Sequence, residues 1–121
     1  MPKVLLFMRK KPGMSDEAFR RHYETFHAKM AEKYLGKYMT DYRRNFIVRE
    51  DRSPSLKPVT DGDFDVVTEI WYKDQPSLDA MWAKALAPEV ATEMDGDAEN
   101  FLDPAPGALR VYVVDEYLRN P

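Results

Sequence analysis

The sequence predicts a single α+β domain built in the order strand, helix, strand, strand, helix, strand. Three observations predict it. Apolar residues alternate in four short segments, they recur at helical spacing in two others, and the breaks between segments fall on Pro and Gly. At 121 residues the chain has the size of one domain and buries one modest core.

Residues 3–9 form a short apolar run closed by Lys11-Pro12-Gly13, which reads as a strand and a turn. Ser15 is a suitable N-cap, and Asp16 and Glu17 place negative charge where the helix dipole favours it. Phe19, Tyr23, Phe26, Met30 and Tyr34 then recur at helical spacing, predicting a helix over residues 16–34 that stops at Gly36. Residues 37–49 alternate as a strand, with Tyr38, Tyr42, Phe46 and Val48 on one side and a length that suggests a bulge. A long polar loop is expected over 50–63, and residues 64–72 are the clearest strand. Pro76 opens a second helix with Leu78, Met81, Trp82 and Leu86 on one face. Pro88 interrupts it and starts a short helix to about Met94. Residues 95–107 are expected to be loop, and 109–117 the last strand.

This order is the ferredoxin-like βαββαβ arrangement, a four-stranded antiparallel sheet with helices on one face. Both faces of the first and last strands are apolar. Val4, Leu6 and Met8 oppose Leu5 and Phe7, and Leu109, Val111 and Val113 oppose Tyr112 and Val114. A face without helices should be polar, so a second copy is expected to cover it as a homodimer.

Composition narrows the function classes. A net charge of −3 lacks the basic footprint of a nucleic-acid binder. The absence of cysteine removes disulfides, thiolate nucleophiles and cysteine-bound metals. The opening MPKVLLFMRK is too short for a secretory signal or a membrane span, so a cytoplasmic protein is expected, with no membrane partner. No Gly-rich phosphate cradle or serine nucleophile motif is present, and neither a cofactor nor a metal is expected. Seven Tyr, six Phe, two Trp and seven Met fit either a bulky core or a pocket for a flat apolar ligand.

His22 and His27 share the first predicted helix. On an α-helix residues five apart point about 140° away from each other, so a shared metal, which wants i, i+3 or i+4 spacing, is not expected. The apolar stripe turns His27 partly inward and leaves His22 at the solvent border beside Arg20, Arg21 and Lys29. His27 is either a half-buried histidine bonded to backbone or carboxylate, or a general acid/base in a pocket. Asp65, Glu69 and Trp71 share one strand face. Glu69 either pairs with Arg43 or Arg44 across the sheet, or serves as a second acid/base group or an orienting group for His27. Asp65, at the strand start, reads as structural. Tyr38, Tyr42, Tyr72 and Asn45 can donate to a carbonyl or enolate oxygen. Asp95, Asp97 and Glu99 in MDGDAEN have partial D-x-D spacing but lack the other ligands of a calcium loop, and read as a solvated acidic turn.

The stretch KVLLFMRKKPGMSDEAFRRHYETFHAKM resembles the opening of EthD-like proteins: a strand, a basic residue, a Pro-Gly turn, then a helix carrying aromatics and a histidine. FDVVTEIWYKDQPSL is similar to that family's third strand, and PEVATEMDGDAENFLDP to its segment before the last strand. The resemblance implies a dimeric α+β barrel, with a pocket between each subunit's sheet and helices. It places His27 at the family's helix histidine, while Phe46 stands where relatives can carry a second histidine after Asn45. The expected function is a cofactor-independent dehydratase, decarboxylase, cyclase or isomerase acting on an aromatic or polyketide-like compound. In it His27 moves the proton, Tyr42, Asn45 and Glu69 assist, and Phe19, Tyr23, Tyr38 and Trp71 line the site. The alternatives are a non-catalytic ligand carrier, an accessory subunit of an oxygenase system, and a cofactor-free monooxygenase.

Overall fold

The structure, a computed structural model, describes residues 2–48 and 63–119. The loop expected over 50–63 lies outside these residues, apart from Asp63. Strands β1 (Pro2–Met8), β2 (Met39–Phe46), β3 (Val66–Tyr72) and β4 (Leu109–Asp115) form one sheet in the order β2-β3-β1-β4. Every neighbouring pair is antiparallel, so the chain has the βαββαβ topology that its sequence predicts.

The turn after β1 depends on Gly13, whose φ of +84° follows Pro12 and closes with Met14 N–H donating to the Lys11 carbonyl at 3.1 Å. Ser15 then caps helix α1 (Asp16–His22), its hydroxyl accepting from the Ala18 amide at 3.1 Å. The helix continues as a π-helical turn over Tyr23–His27, then as α2 (Ala28–Leu35) and a 3₁₀ turn (Gly36–Tyr38). In β2 a bulge at Thr40 shifts the register between Met39 and Asp41. Asp74 caps α3 (Gln75–Ala85) through the Ser77 amide at 2.9 Å.

Two expectations about the second helical region are corrected. Leu86 lies past the end of α3 and is 78% exposed, so it is not on the buried face. After Pro88, helix α4 does not stop near Met94 but runs from Pro88 to Phe101. Gly96 and three acidic residues make 95–99 look like loop. Burial of Val90 and Phe101 at its two ends carries the helix through that segment. Sharp turns follow only at Asp103–Gly107, where Gly107 has φ +82°.

The helices cover one sheet face. Val4, Met8, Val66, Thr68, Ile70 and Tyr72 point towards them and are buried. The core has two parts: one around Leu35, Tyr72, Leu78, Met81 and Val90, and one around Phe19, Tyr23, Val66 and Phe101. Leu6 and Tyr42 pack against both. Lys3, Leu5, Phe7, Val67, Glu69 and Trp71 face the other way, as do their register partners Tyr112 and Val114. Edge strand β4 is exposed on both sides, including Val111 and Val113 on the helix side. Among the described residues no helix is long and apolar enough to cross a membrane.

Candidate functional site

The π turn decides where the two histidines go. Ala28 N–H donates to the Tyr23 carbonyl, an i→i+5 bond, so this turn holds one more residue than an α-helical turn. Residues five apart therefore return to the same side of the helix. His22 and His27 both reach Asp97 on α4: His22 Nε2 lies 2.9 Å from Oδ1, and His27 Nδ1 lies 2.9 Å from Oδ2. This corrects two expectations. His22 is half-buried against α4 and not left at a solvent border, and Asp97 sits inside a helix and not in a solvated turn. The wider turn also swings Phe26 out of the apolar stripe, leaving it 57% exposed.

The turn is fastened to the sheet from two sides. The Tyr23 hydroxyl shares a 2.7 Å buried hydrogen bond with Thr68 on β3. Arg44 on β2 grips Glu24 with two N–H donors at 3.0 and 2.7 Å. Phe101 lies under both imidazoles, with ring centroids 5.0 Å from His22 and 4.8 Å from His27.

Burial favours the protonated acid at Asp97. Its hydrogen bonds with His27, His22 and Asn100 outweigh that and hold the carboxyl below the usual range. An ionised carboxylate only accepts, so both histidines donate to it: His27 through Nδ1–H and His22 through Nε2–H. For His27, burial lowers the pKa and the Asp97 contact opposes this, with burial the stronger. His27 is thus a neutral imidazole at neutral pH, with its Nε2 lone pair unprotonated.

His27 also lines a cavity, with its Nδ1 committed to Asp97. The cavity, of about 120 Å³, lies at the seam between the two core clusters, under the helices. Val4, Leu6, Ile70, Met81 and Trp82 supply apolar wall, and Tyr23, His27, Tyr42 and Tyr72 bring the polar groups. The Tyr42 hydroxyl donates to Tyr23 over a long 3.4 Å contact, and burial raises its pKa, so it stays a neutral donor. Among the described residues no group of three or more His, Asp or Glu side chains is arranged to hold a metal ion.

A family model described as the EthD domain matches residues 11–105. The chain belongs to the EthD family. Among solved structures, an EthD family protein from Bacillus halodurans is 23% identical, with a TM-score of 0.62, over 97% of this chain and 100% of that one. An EthD-like protein from Ralstonia eutropha is 18% identical, with a TM-score of 0.60, over 92% and 88%. HapK from Hahella chejuensis is 9% identical, with a TM-score of 0.61, over 100% and 97%. At these identities the likeness establishes the fold. No curated protein sequence matches the chain.

In this EthD domain the sheet divides the sequence-predicted site residues. His27, Tyr23 and Tyr42 meet at the cavity. Phe19 is buried beside Tyr23 in the neighbouring core cluster, and Tyr38 is half-buried in the 3₁₀ turn with the Lys37 ammonium over its ring. Neither forms cavity wall. Asn45, Glu69 and Trp71 occupy the opposite sheet face. Glu69 pairs there with Lys3 at 2.6 Å and accepts from Asn45 Nδ2 at 2.9 Å, while Trp71 Nε1–H donates to Glu116 at 2.6 Å. The cation on Glu69 is therefore Lys3 from β1, not Arg43 or Arg44, which bind Asp41 and Glu24. Asp65 accepts from the Lys10 amide at 2.7 Å and ties the start of β3 to the end of β1. Asp97 was legible only as an acidic residue near the family's last segment. No local spacing linked it to residues 70 and 75 positions earlier.

Replacing Asp97 with Asn removes the anion that opposes burial at His27, so the His27 pKa should fall further below about 6.5. Because the folded-state value is already below the unfolded one, stability from this group is present above about pH 6.5 and declines as pH falls. Asp97→Asn should also cost about 1–3 kcal/mol in urea unfolding at pH 7. NMR titration of the imidazole protons checks the direction, and a His27 pKa that rises in the variant contradicts it.

Proposed function

We propose that this protein is a cofactor-independent acid/base enzyme acting on a small, mostly apolar molecule, with His27 moving the proton. The observation that carries this reading is the Asp97–His27 pair beside an apolar cavity under the helices. Asp97 fixes the tautomer and would stabilise the imidazolium formed when Nε2 takes a proton. A proton removed from carbon beside a substrate carbonyl leaves an enolate. The Tyr42 hydroxyl, weakly held by Tyr23, can turn to donate to that oxygen. Return of the proton from Nε2 to another carbon completes an isomerisation, and its delivery to a departing hydroxyl completes a dehydration, releasing water.

Size restricts the substrate. A cavity of roughly 150 Å³ accommodates benzene, so a space of about 120 Å³ is of the size of one small ring. In heavy water the protein should speed deuterium exchange at the α-carbons of cyclohexanone. His27→Gln should reduce that rate by about 10²-fold or more, the usual contribution of a positioned general base. Equal exchange by both proteins removes His27 from the mechanism.

We further infer that two copies pair through the sheet face that carries Leu5, Phe7 and Tyr112. Phe7 and Tyr112 meet edge to face at 5.8 Å on that uncovered side, where Tyr112 is 45% exposed. A protein of ferredoxin-like fold from Bacteroides fragilis, 8% identical with a TM-score of 0.51, is described as dimeric. Light scattering at micromolar concentration should give twice the 14.1 kDa chain mass, and a single-chain mass rejects the pairing.

A further inference from the structure

Tyr72 is the buried polar group that the proton-transfer scheme leaves unused. It ends β3, is 0% exposed and lines the cavity beneath the helices. Its hydroxyl has no hydrogen-bond partner among the described residues. Of the other polar side chains in the wall, Tyr23 bonds Thr68, Tyr42 makes a long contact to Tyr23, and His27 bonds Asp97 through Nδ1. Native structures rarely bury a hydroxyl without an acceptor, and where they do the group needs an explanation. Burial raises the Tyr72 pKa, so the hydroxyl keeps its proton and remains a donor. Nothing among the described residues lies within hydrogen-bond reach of that proton, and an acceptor brought into the cavity would satisfy it.

The remainder of the wall says what kind of acceptor it is. Among the described residues no Lys, Arg, Asp or Glu lines the cavity. A carboxylate or phosphate brought in would lose its hydration and meet no cation, which is prohibitive in an apolar enclosure. A neutral oxygen, as in a ketone, an enone or a phenol, needs only one donor. We propose that the cavity takes an uncharged single-ring compound carrying one hydrogen-bond-accepting oxygen, and that the Tyr72 hydroxyl donates to that oxygen. Tyr72 is then a substrate-binding residue that selects neutral oxygenated rings over hydrocarbons and over aromatic acids. This rests on the reading of the cavity as a substrate site. It narrows the chemistry towards isomerisation or dehydration and away from decarboxylation, which would require an anionic carboxylate in the same space.

The test uses binding, not turnover. Wild-type protein and Tyr72→Phe are titrated with cyclohexanone, phenol, toluene and benzoate, followed by chemical-shift changes, and the melting temperature of each ligand-free protein is recorded. Wild type should prefer cyclohexanone and phenol over toluene by about tenfold, the weight of one net hydrogen bond, and should not take up benzoate. Tyr72→Phe keeps the ring and its packing, so it should erase that preference while retaining toluene. Ligand-free Tyr72→Phe should melt a few degrees higher, because the unpaired hydroxyl is gone. The proposal is overturned by a preference that survives in Tyr72→Phe, by benzoate binding better than phenol, or by wild type binding no neutral ring at millimolar concentration. A Tyr72→Phe protein that melts far lower with ligand preferences intact marks the residue as structural and also overturns it. Tyr72-dependent binding without His27-dependent deuterium exchange would uphold this inference and reject the catalytic reading. Exchange that depends on His27 but not on Tyr72 would do the reverse.

Discussion

The Asp97 carboxylate receives two imidazoles from a helix it does not belong to, and much of the helical layer is arranged around that contact. A carboxylate largely removed from water needs donors on both oxygens, and His22, His27 and Asn100 provide them. Regular α-helical geometry would send His22 and His27 to different sides. One extra residue in the Tyr23–His27 turn brings them back together. That widened turn disturbs the α-helical hydrogen-bond ladder, and it is held in place by Tyr23 on Thr68 and by Arg44 on Glu24. Phe101, fully buried beneath both rings, restricts how they can tilt. Helix, sheet and α4 thus combine to set His27, held by Asp97 through Nδ1, in the wall of a small apolar cavity.

The sheet separates two chemistries. At the cavity on its helix side, the polar side chains among the described residues are uncharged: three tyrosine hydroxyls, an imidazole and the Trp82 indole. On the other side Lys3 is enclosed by Glu69 and Glu116, with Trp71 beneath its ammonium and Arg43 over the same ring. Burial works against the Lys3 charge, but bonds to the two carboxylates prevail and raise its pKa, while both carboxyls are held low mainly by Lys3. This second cluster is a compensated charge network of the kind that sets register between β1, β3 and the end of β4. The alternation of side chains along β3 is what allots Thr68, Ile70 and Tyr72 to one chemistry and Glu69 and Trp71 to the other.

Element order was legible in the sequence because Pro, Gly and the two apolar periods punctuate it plainly, and the two-sided strands β1 and β4 stood out for the same reason. Within the site, legibility stopped where a long-range contact overrode a local pattern. A uniform turn of about 100° per residue put His22 towards solvent and Phe26 towards the core. A single π turn reverses both, and nothing in YETFH announces it. The acidic run at 95–99 resembled a loop because local propensity disfavours helix there. The buried ends of α4 decide otherwise, and with them the position of Asp97. Glu69 and Trp71 were correctly placed on a shared face. Which face met the helices depended on register with β1 and β2, which pairing across the sheet determines and a single strand does not.

The central claim is that one ionised carboxylate holds both imidazoles by their N–H groups and so leaves Nε2 of His27 as a base. Nitrogen-15 NMR of the two histidines at neutral pH tests it most directly, because it reports which ring nitrogen carries the proton. The predicted result is a His27 ring protonated on Nδ1 and not on Nε2, beside a His22 ring whose Nε2 carries a proton to Asp97. A His27 ring protonated on Nε2 at that pH, whether neutral or as imidazolium, would contradict the account.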